Sequence, residues 1–308
     1  MSENQKMHFI DVLVARSLPF IPRAIVKRLS TRYLAGSTLE EALQVIHNLN
    51  RAGFGVTLDV LGESATSAAE ADAMNAAYAT AIAAIAANNL DAELSIKPSA
   101  LGLLNDEAQC EARIRQILAQ ATQVAKTATL DMEDLQCTQK ELDLLSRLQP
   151  HYPDLGIAVQ AYLQRSYADI NQLMATRSRL RICKGIYQEN PQFLVAEASR
   201  DRSAINPHFL AHVKRCFAEG LFVSVATHDE ALIEAVVALS KQHHVAPDAF
   251  EFQMLLGVCE PLRDKVRALG FAVRVYVPYG ADWYGYSTRR LQENPRIAGY
   301  ILRALIKR

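Results

Sequence analysis

Eight short apolar runs, rich in β-branched and aromatic residues, recur along the chain, and segments dominated by Ala, Leu, Glu, Gln and Arg separate them. We predict strands at Gly55–Asp59, Ala92–Lys97, Ala128–Met132, Ile157–Ala161, Leu180–Lys184, Phe222–Ala226, Phe250–Met254 and Val273–Val277. The separating segments, such as Ala68–Asn88 and Glu111–Lys126, have compositions that favour helices. Strands that alternate with helices form parallel βαβ units. Eight such units over about 250 residues predict an α/β fold, a closed (β/α)8 barrel of the TIM type.

Polar side chains lie at or near the carboxyl end of every predicted strand. In chain order they are Asp59 with Glu63 just beyond, Lys97, Asp131, Gln160, Lys184, Thr227 with His228, Gln253, and Tyr276. Arg181 lies inside the fifth run. Any one of these residues could instead cap the following helix or form a hydrogen bond within the barrel. The complete set predicts a ring around one mouth, where (β/α)8 enzymes build their active sites.

The first 50 residues lack this strand pattern and predict helices. Thr38–Asn50 predicts an amphipathic helix, in which Thr38 and Glu41 have the spacing of a capping box. We therefore predict a helical extension over residues 1–50 and a barrel catalytic domain over residues 51–308, within one domain overall.

Composition and charge exclude several classes of function. The chain has 33 basic and 33 acidic residues, so its formal net charge of zero gives no reason to expect a nucleic-acid partner. Its five cysteines are dispersed, which argues against a disulfide framework and fits the cytoplasm. No uncharged apolar stretch approaches the roughly 18 residues of a membrane span. We expect no transmembrane segment and at most peripheral membrane contact.

A divalent metal site is the main alternative that the polar ring leaves open. Its candidate ligands are Asp59, Glu63, Asp131, Glu133, His228, Asp229 and Glu251. Such a site would make the chain a metal-dependent lyase or hydrolase. Lys97, Arg181 and Lys184 lie in the same ring and would largely neutralise the carboxylates, and His228 is the only histidine at a predicted strand end. We therefore predict no metal.

An adjacent arginine pair follows the last predicted strand. Arg289 and Arg290 lie on a helix predicted to begin near Asp282, and Glu293 lies about one turn further on. The forked donors of arginine suit a carboxylate ligand, and Glu293 could hold an arginine or a ligand cation. A solvated charged helix face would show the same pattern. Neighbouring residues point about 100° apart on a helix, so both arginines reach one pocket only if that pocket wraps the helix.

Nine segments together resemble the proline dehydrogenase family in its single-function bacterial form. They are TRYLAGSTLEEAL (31–43), VTLDVLGE (56–63), LSIKPSALG (94–102), TLDMED (129–134), GIAVQAYLQRS (156–166), RICKGIY (181–187), ATHDE (226–230), EFQMLLGV (251–258) and YVPYG with WYGYSTRRLQENP (276–280 and 283–295). The resemblance runs from about Tyr33 to Pro295. No single segment is specific, but nine in the family's order make a chance match implausible.

The resemblance implies a distorted (β/α)8 barrel, non-covalently bound FAD over the strand ends and a final helix above the mouth. It implies oxidation of L-proline to Δ1-pyrroline-5-carboxylate by hydride transfer to the flavin, the first step of proline catabolism. A quinone is the electron acceptor that the family implies, so a cytoplasmic protein with peripheral membrane contact is expected. A separate Δ1-pyrroline-5-carboxylate dehydrogenase is the expected partner enzyme.

By match with the family's motifs, three sets of residues receive roles. Substrate contacts fall on Lys97, Leu255, Tyr276, Tyr286, Arg289, Arg290 and Glu293. Cofactor contacts fall on Asp131, Gln160, Arg181, Lys184, Ile186, Tyr187, Thr227 and His228. Catalysis is assigned to Lys97, Asp131, Tyr276, Arg289 and Arg290. In this reading the two arginines and Lys97 bind the proline carboxylate, and Tyr276 packs over the proline ring.

Three residues depart from the family's more frequent pattern. Pro98 follows the lysine, Ile186 replaces a usual alanine, and Leu256 replaces a more frequent histidine or tyrosine. The last two concern substrate preference and flavin exposure rather than the reaction. A catalytically inactive barrel that serves as a binding partner is a further alternative, and the presence of Lys97 and Tyr276 together with the arginine pair argues against it.

Overall fold

The computed structural model describes Val26, Ser30 and residues 32–287. Within that range, parallel strands pair in chain order, and the last strand pairs with the first to close a barrel. The strands are β1 (Gly55–Val60), β2 (Ala92–Ile96), β3 (Ala128–Leu130), β4 (Gly156–Gln160), β5 (Arg179–Cys183), β6 (Val223–Ala226), β7 (Phe250–Leu255) and β8 (Ala272–Tyr279). The predicted (β/α)8 barrel is therefore confirmed.

A helix follows each of the first seven strands, and another precedes β1. The helices are α1 (Leu39–Arg51), α2 (Ala68–Ala87), α3 (Glu107–Gln123), α4 (Leu135–Leu148), α5 (Ser166–Ala175), α6 (Asn206–Ala218), α7 (Glu230–Gln242) and α8 (Glu260–Ala268). Short 3-10 helices at Ser99–Leu101, Pro191–Phe193 and Arg202–Ile205 lie in the loops that follow β2 and β5.

The predicted and observed element bounds agree closely. All eight predicted strands are present, with ends within two residues of the prediction. Lys97 and Asp131 lie just beyond β2 and β3, where the chain leaves the ladder. The capping box before α1 is also present, because Thr38 Oγ1 accepts the Glu41 N–H at 3.3 Å and the Glu41 carboxylate accepts the Thr38 N–H at 3.1 Å.

Alternate residues of the strands face two different environments. Val56 and Leu58 of β1 belong to the apolar core, together with helix residues such as Ile82. Between them, Thr57 donates a hydrogen bond to Glu93 of β2 at 2.7 Å. Successive side chains of a strand point to opposite faces. The barrel interior is therefore polar, whereas the layer between the strands and the helices is apolar.

Two predicted features lie largely outside the described residues. They are the part of the N-terminal extension that precedes residue 32, and the last helix beyond residue 287, with Arg289, Arg290 and Glu293. Residues 283–287 are helical, as predicted for the segment after β8. None of the described helices combines the length and the apolar character that a membrane span requires.

A buried histidine on α6 makes the stability of the fold depend on pH. His212 is 2% exposed, and its ring centre lies 4.5 Å from that of Tyr167. Burial, together with the neighbouring His208, lowers the pKa of His212 to about 4. As the pH falls from the ordinary histidine value of about 6.5 toward 4, the unfolded chain binds a proton that the folded chain excludes. Stability is lost over that range.

Through this residue, we expect the free energy of unfolding to fall by about 2–3 kcal/mol between pH 7 and pH 4.5. Substitution His212→Gln should flatten that part of the pH profile in urea titrations. His47→Gln, which changes an exposed histidine, should leave the slope unchanged. If His212→Gln keeps the slope of the unmodified protein, His212 is not the responsible group.

Candidate active site

A layer of hydrogen-bonded polar side chains lies inside the barrel, below the mouth. Glu93 accepts from the Thr57 hydroxyl, and Glu251 accepts from the Gln253 amide, both at 2.7 Å. Arg274 compensates the Glu251 charge at an Nε–Oε2 distance of 3.0 Å. The sequence suggested Gln253 for the ring at the strand ends. It lies instead in this layer, because β7 continues two residues further.

Asp131 is at the centre of a polar cluster above this layer. Its Oδ1 accepts hydrogen bonds from Arg181 Nη1 and from Ser95 Oγ, each at 2.5 Å. Its Oδ2 accepts from the Tyr276 hydroxyl at 2.9 Å. The Arg181 guanidinium carbon also lies 5.5 Å from the centre of the Tyr276 ring, and Arg181 Nη2 lies 3.7 Å from Glu93. Side chains at β2, β5 and β8 thus converge on one carboxylate at the end of β3.

Lys97 lies directly beside this carboxylate. Its Nζ forms an ion pair with Asp59 of β1, and the same Nζ is 3.6 Å from Asp131 Oδ2 and 3.5 Å from the Tyr276 hydroxyl. The Lys97 side chain is 19% exposed, whereas that of Asp59 is 1% exposed. The lysine therefore has access to a ligand at the mouth, while its counter-ion is buried.

Burial and neighbouring charges fix the protonation states of this cluster. Burial opposes ionisation of Asp131, but Arg181, Lys97 and the hydrogen bonds that it accepts outweigh burial and lower its pKa. Burial also opposes the charged form of Lys97, yet Asp59 and the other nearby acidic groups raise its pKa well above the ordinary value. Burial, followed by the charge of Asp131, raises the pKa of Tyr276. At neutral pH the cluster therefore holds a cationic lysine, an anionic Asp131 and a tyrosine hydroxyl that donates.

Further donors line the rim between β4 and β6. The Gln160 amide donates to the backbone carbonyl of Glu133 at 2.7 Å, and Lys184 Nζ lies 3.0 Å from Asp229 Oδ2. Gly185 has a φ of +99°, and a Cβ there would come within 2.2 Å of a neighbouring aromatic ring. Only glycine fits this left-handed turn without strain, so the chain bends sharply after Lys184.

Main-chain groups hold the two predicted rim residues that follow β6. Thr227 Oγ1 accepts the N–H of Asp229 at 3.1 Å. Nε2 of His228 accepts the N–H of Leu255 at 2.8 Å. The imidazole is thereby fixed against the end of β7, beside a residue predicted to contact substrate.

Apolar side chains complete the rim. Ile186 and Tyr187, just after β5, are 43% and 37% exposed, and exposed large apolar side chains often mark a binding surface. Tyr286 is buried and belongs to an apolar cluster with Leu61, which directly follows β1. Leu255 is half-buried at the end of β7.

The rim chemistry fits a planar cofactor with a hydrogen-bonding edge and phosphate groups, such as a flavin. Amide, ammonium, hydroxyl and imidazole groups are contributed by Gln160, Lys184, Thr227 and His228, beside the exposed apolar residues after β5. Within the described part of the chain, Nε and Nη2 of Arg181 are buried without a hydrogen-bond acceptor. Ligand sites of this kind combine apolar walls with a few directed polar groups.

The structure brings many of the predicted site residues to one end of the barrel. Lys97, Asp131, Arg181 and Tyr276 contact one another directly, while the predicted clamp residues after residue 287 lie outside the described range. Ser95, which bonds the central carboxylate, was not predicted. Its position two residues before Lys97 was the available signal, because alternate strand residues share a face.

One group among the described residues has a metal-ligand arrangement. Glu133, Cys137 and Glu141 are buried, and their ligand atoms lie within 4.8 Å of one another. Hydrogen-bond donors already engage the carboxylates, because Glu133 accepts the N–H and hydroxyl of Ser99 and Glu141 accepts the N–H of Glu133. Among the metal ligands considered from the sequence, Glu133 alone belongs to this group over the range that the structure covers.

Comparison with known sequences gives a consistent result. The sequence model of the family described as "Proline dehydrogenase" matches residues 42–301. Proline dehydrogenase 1 of Bacillus subtilis subsp. natto is 35% identical over 97% of this chain and 98% of its own length. Proline dehydrogenase of Deinococcus radiodurans is 34% identical over 91% of this chain and 90% of its own length.

Comparison with solved structures supports the fold. Proline utilization A from Bdellovibrio bacteriovorus, inactivated by N-propargylglycine, superposes with a TM-score of 0.81 at 21% sequence identity. The match covers 96% of this chain and 37% of the larger chain. At this level of identity, the similarity is evidence for the barrel architecture.

Replacement of Asp131 by asparagine would remove an anion that balances the buried Arg181 and the partly exposed Lys97. We expect Asp131→Asn to lower the free energy of unfolding by about 3–5 kcal/mol, because Arg181 and Lys97 lose a charge partner inside the barrel. Asp229→Asn removes the partly exposed partner of Lys184 and should cost less than about 1 kcal/mol. Urea denaturation measures both costs. If both variants lose the same free energy of unfolding, the Asp131 carboxylate is no more important to stability than that of Asp229.

Proposed function

The chain belongs to the proline dehydrogenase family, and from this membership we propose that it is an FAD-dependent enzyme that transfers a hydride from the ring of L-proline and produces Δ1-pyrroline-5-carboxylate. As a proline dehydrogenase, it is an oxidoreductase of the first step of proline catabolism. The observation that carries the finer proposal is the cluster at the barrel mouth, in which Lys97, Arg181 and Tyr276 surround Asp131.

We assign FAD to the rim of the mouth, without a covalent bond. Gln160, Arg181 and Lys184 would contact the isoalloxazine and phosphate groups. Further contacts would come from Asp131, Ile186, Tyr187, Thr227 and His228. When bound, FAD supplies the two-electron acceptor, while the protein supplies orientation and electrostatics.

The proline carboxylate requires cationic donors. Lys97 offers one at the mouth, but Asp59 and Asp131 both contact its Nζ region and offset much of its charge. Arg289 and Arg290 would add two forked donors, and Glu293 would pair with this clamp or lie near the ring nitrogen. Lys97, Arg289 and Arg290 would thus bind the carboxylate together.

The proline ring requires an apolar wall. The Tyr276 hydroxyl donates to Asp131, which fixes the orientation of the phenol ring. Arg181 lies near one face of the ring, and the proline ring would pack against the other. Leu255 and Tyr286 would extend this wall. The arrangement would hold the ring carbon that loses the hydride in one position.

The amine of proline must lose a proton before its lone pair can help to expel the hydride. Like-charge repulsion lowers the pKa of an ammonium group. Lys97, Arg289 and Arg290 would therefore favour the neutral amine, while the carboxylate of the same substrate holds it among these cations. The catalytic roles that we propose for Lys97, Asp131, Tyr276 and the arginine pair are thus orientation and electrostatic control.

The wider setting is also part of the proposal. We assign a quinone as the electron acceptor, peripheral contact with the inner face of the cytoplasmic membrane, and a separate Δ1-pyrroline-5-carboxylate dehydrogenase as the enzyme that consumes the product. Residues 1–50 would act as a helical extension of the catalytic domain formed by residues 51–308. Buried residues of α1, such as Ile46, belong to the same apolar core as the barrel strands, which supports one domain overall.

An absorption spectrum with and without L-proline tests the cofactor and the substrate together. We expect a yellow protein whose flavin band is bleached by L-proline near neutral pH. After mild acid precipitation, the colour should remain in the supernatant, because the flavin is not covalently attached. Colour in the pellet would contradict non-covalent binding. A colourless, chelator-sensitive enzyme would favour the metal-dependent lyase or hydrolase.

The arginine clamp gives a second test. Each of Arg289→Met and Arg290→Met removes a charge-assisted pair of roughly 1.5–3 kcal/mol, so we expect the KM for proline to rise about ten- to a hundredfold. Arg200→Met is the matched control, because Arg200 is exposed on a loop and pairs locally with Glu197. Steady-state kinetics measures the effect. An unchanged KM in both folded clamp variants would rule out the clamp.

Tyr276 gives a test of ring selectivity. Its phenol would leave no room for the hydroxyl of trans-4-hydroxyproline, and burial of a polar atom without a partner costs about 1–3 kcal/mol. We expect kcat/KM to favour proline by at least roughly tenfold. Tyr276→Ser should narrow this ratio and lower activity with proline, whereas Tyr276→Phe should keep the ratio. If Tyr276→Ser weakens both substrates equally, Tyr276 does not select the ring.

A further inference from the structure

A line of buried hydrogen bonds runs from α4 to the turn that follows β2 and to the last residue of β4. It begins at Glu141, which is fully buried on α4, and passes through Glu133, which is 8% exposed. From Glu133 it divides, one branch to Ser99 and the other to Gln160. The first branch ends two residues after Lys97, and the second ends at Gln160, so each reaches a proposed site residue.

The first branch fixes the turn after Lys97. The Glu133 carboxylate accepts the Ser99 N–H with one oxygen at 2.8 Å and the Ser99 hydroxyl with the other at 2.5 Å. Ser99 is 4% exposed and is the first residue of the short 3-10 helix that follows β2. Two bonds to a buried carboxylate hold this turn more firmly than its own short helix could, because isolated 3-10 turns have poor hydrogen-bond geometry.

The second branch fixes Gln160. The backbone carbonyl of Glu133 accepts the Gln160 amide at 2.7 Å. Because Nε2 of Gln160 is the donor, its Oε1 is directed elsewhere. Glu133 therefore orients both Lys97, on the substrate side of the site, and Gln160, on the cofactor side.

Glu141 holds Glu133 itself in place. Its two carboxyl oxygens lie 3.1 and 3.2 Å from the Glu133 N–H. Burial, followed by the charge of Glu133, raises the pKa of Glu141 well above its ordinary value. Burial also raises the pKa of Glu133, but the two hydrogen bonds that Ser99 donates act against that rise. Of the pair, Glu141 therefore favours the protonated form more strongly, and Glu133 is the one whose carboxylate has donors from Ser99.

We propose that Glu133 is a positioning residue for proline oxidation, whose carboxylate sets the turn after Lys97 and whose backbone carbonyl sets the side chain of Gln160. This inference rests on the proposed function for the roles of Lys97 and Gln160. Glu133 does not touch the substrate in this scheme. It acts through the two residues that do the binding, and Glu141 supports it as a neutral hydrogen-bond partner.

Three single substitutions separate the parts of this line. Glu133→Gln replaces the carboxyl group that accepts both Ser99 donors with an amide. Glu141→Gln is the matched control, because glutamine is the neutral isostere of a protonated glutamate. Ser99→Ala removes one of the two Ser99 donors and leaves the branch to Gln160 intact. The measurements are kcat and KM for proline, the Kd of FAD for the apoprotein from quenching of flavin fluorescence, and the Tm.

For Glu133→Gln we expect the KM for proline to rise by at least about tenfold, because the substitution weakens both hydrogen bonds from Ser99. The Kd of FAD should change by less than about threefold, because the backbone carbonyl that accepts the Gln160 amide remains. Ser99→Ala should raise the KM about threefold or more without changing the Kd of FAD. Glu141→Gln should change each quantity by less than about twofold. The split between KM and Kd in the serine variant is a readout that a merely structural role would not produce.

The proposal is overturned if Glu133→Gln lowers only the Tm, or if Glu141→Gln is as damaging as Glu133→Gln. If Glu133→Gln fails to fold, Ser99→Ala decides: an unchanged KM for proline overturns the role of the turn. Failure of the proposed function would be seen in the unsubstituted protein. That protein would bind no FAD, or its flavin would not be bleached by proline.

Discussion

The ion pair between Arg181 and Asp131 is the interaction on which the barrel mouth depends. A buried charge is tolerated only when it is paired and hydrogen-bonded, because loss of hydration costs several kcal/mol per ion. Asp131 meets this condition with Arg181, Ser95 and Tyr276 at hydrogen-bond distance. Each of these partners comes from a different strand, so the pairing also fixes how the strand ends lie relative to one another. The surface that a ligand would meet therefore depends on all four residues.

The same charge balance explains why recognition of a carboxylate requires more than this cluster. Lys97 and Arg181 contribute two positive charges, whereas Asp59, Asp131 and Glu93 contribute three carboxylates in contact with them. Burial raises the pKa of Asp59, and Arg274 Nε also lies 4.0 Å from Glu93, but the charges of Lys97 and Arg181 are still largely offset by their partners. Little of their charge is left to attract a substrate carboxylate, so further cations at the mouth would strengthen its binding. In the proposed function, Arg289 and Arg290 supply them.

The sequence was sufficient for the architecture because hydrophobic burial acts on each strand locally. Apolar runs that end in a polar residue mark the place where a strand leaves the core, so the eight strands and the face of the site could be predicted. The hydrogen-bond and ion-pair partners of each residue could not be predicted, because a long charged side chain on a given face has several neighbours within reach. Lys184 lies beside Asp229, and Gln253 belongs to the layer below the mouth, although both looked alike as strand-end residues. Ser95 was overlooked since a serine inside an apolar run resembles an ordinary buried hydroxyl.

His228 shows how a backbone group can set the chemistry of a side chain. The Leu255 N–H can only donate, so Nε2 of His228, which accepts it at 2.8 Å, carries no proton. The imidazole is then neutral, with its proton on Nδ1. Protonation of the ring would place two donors against each other at the end of β7 and displace Leu255. The neutral ring therefore keeps the end of β7 in register with the mouth. One main-chain donor thus determines both the tautomer of His228 and the position of the apolar Leu255 beside it.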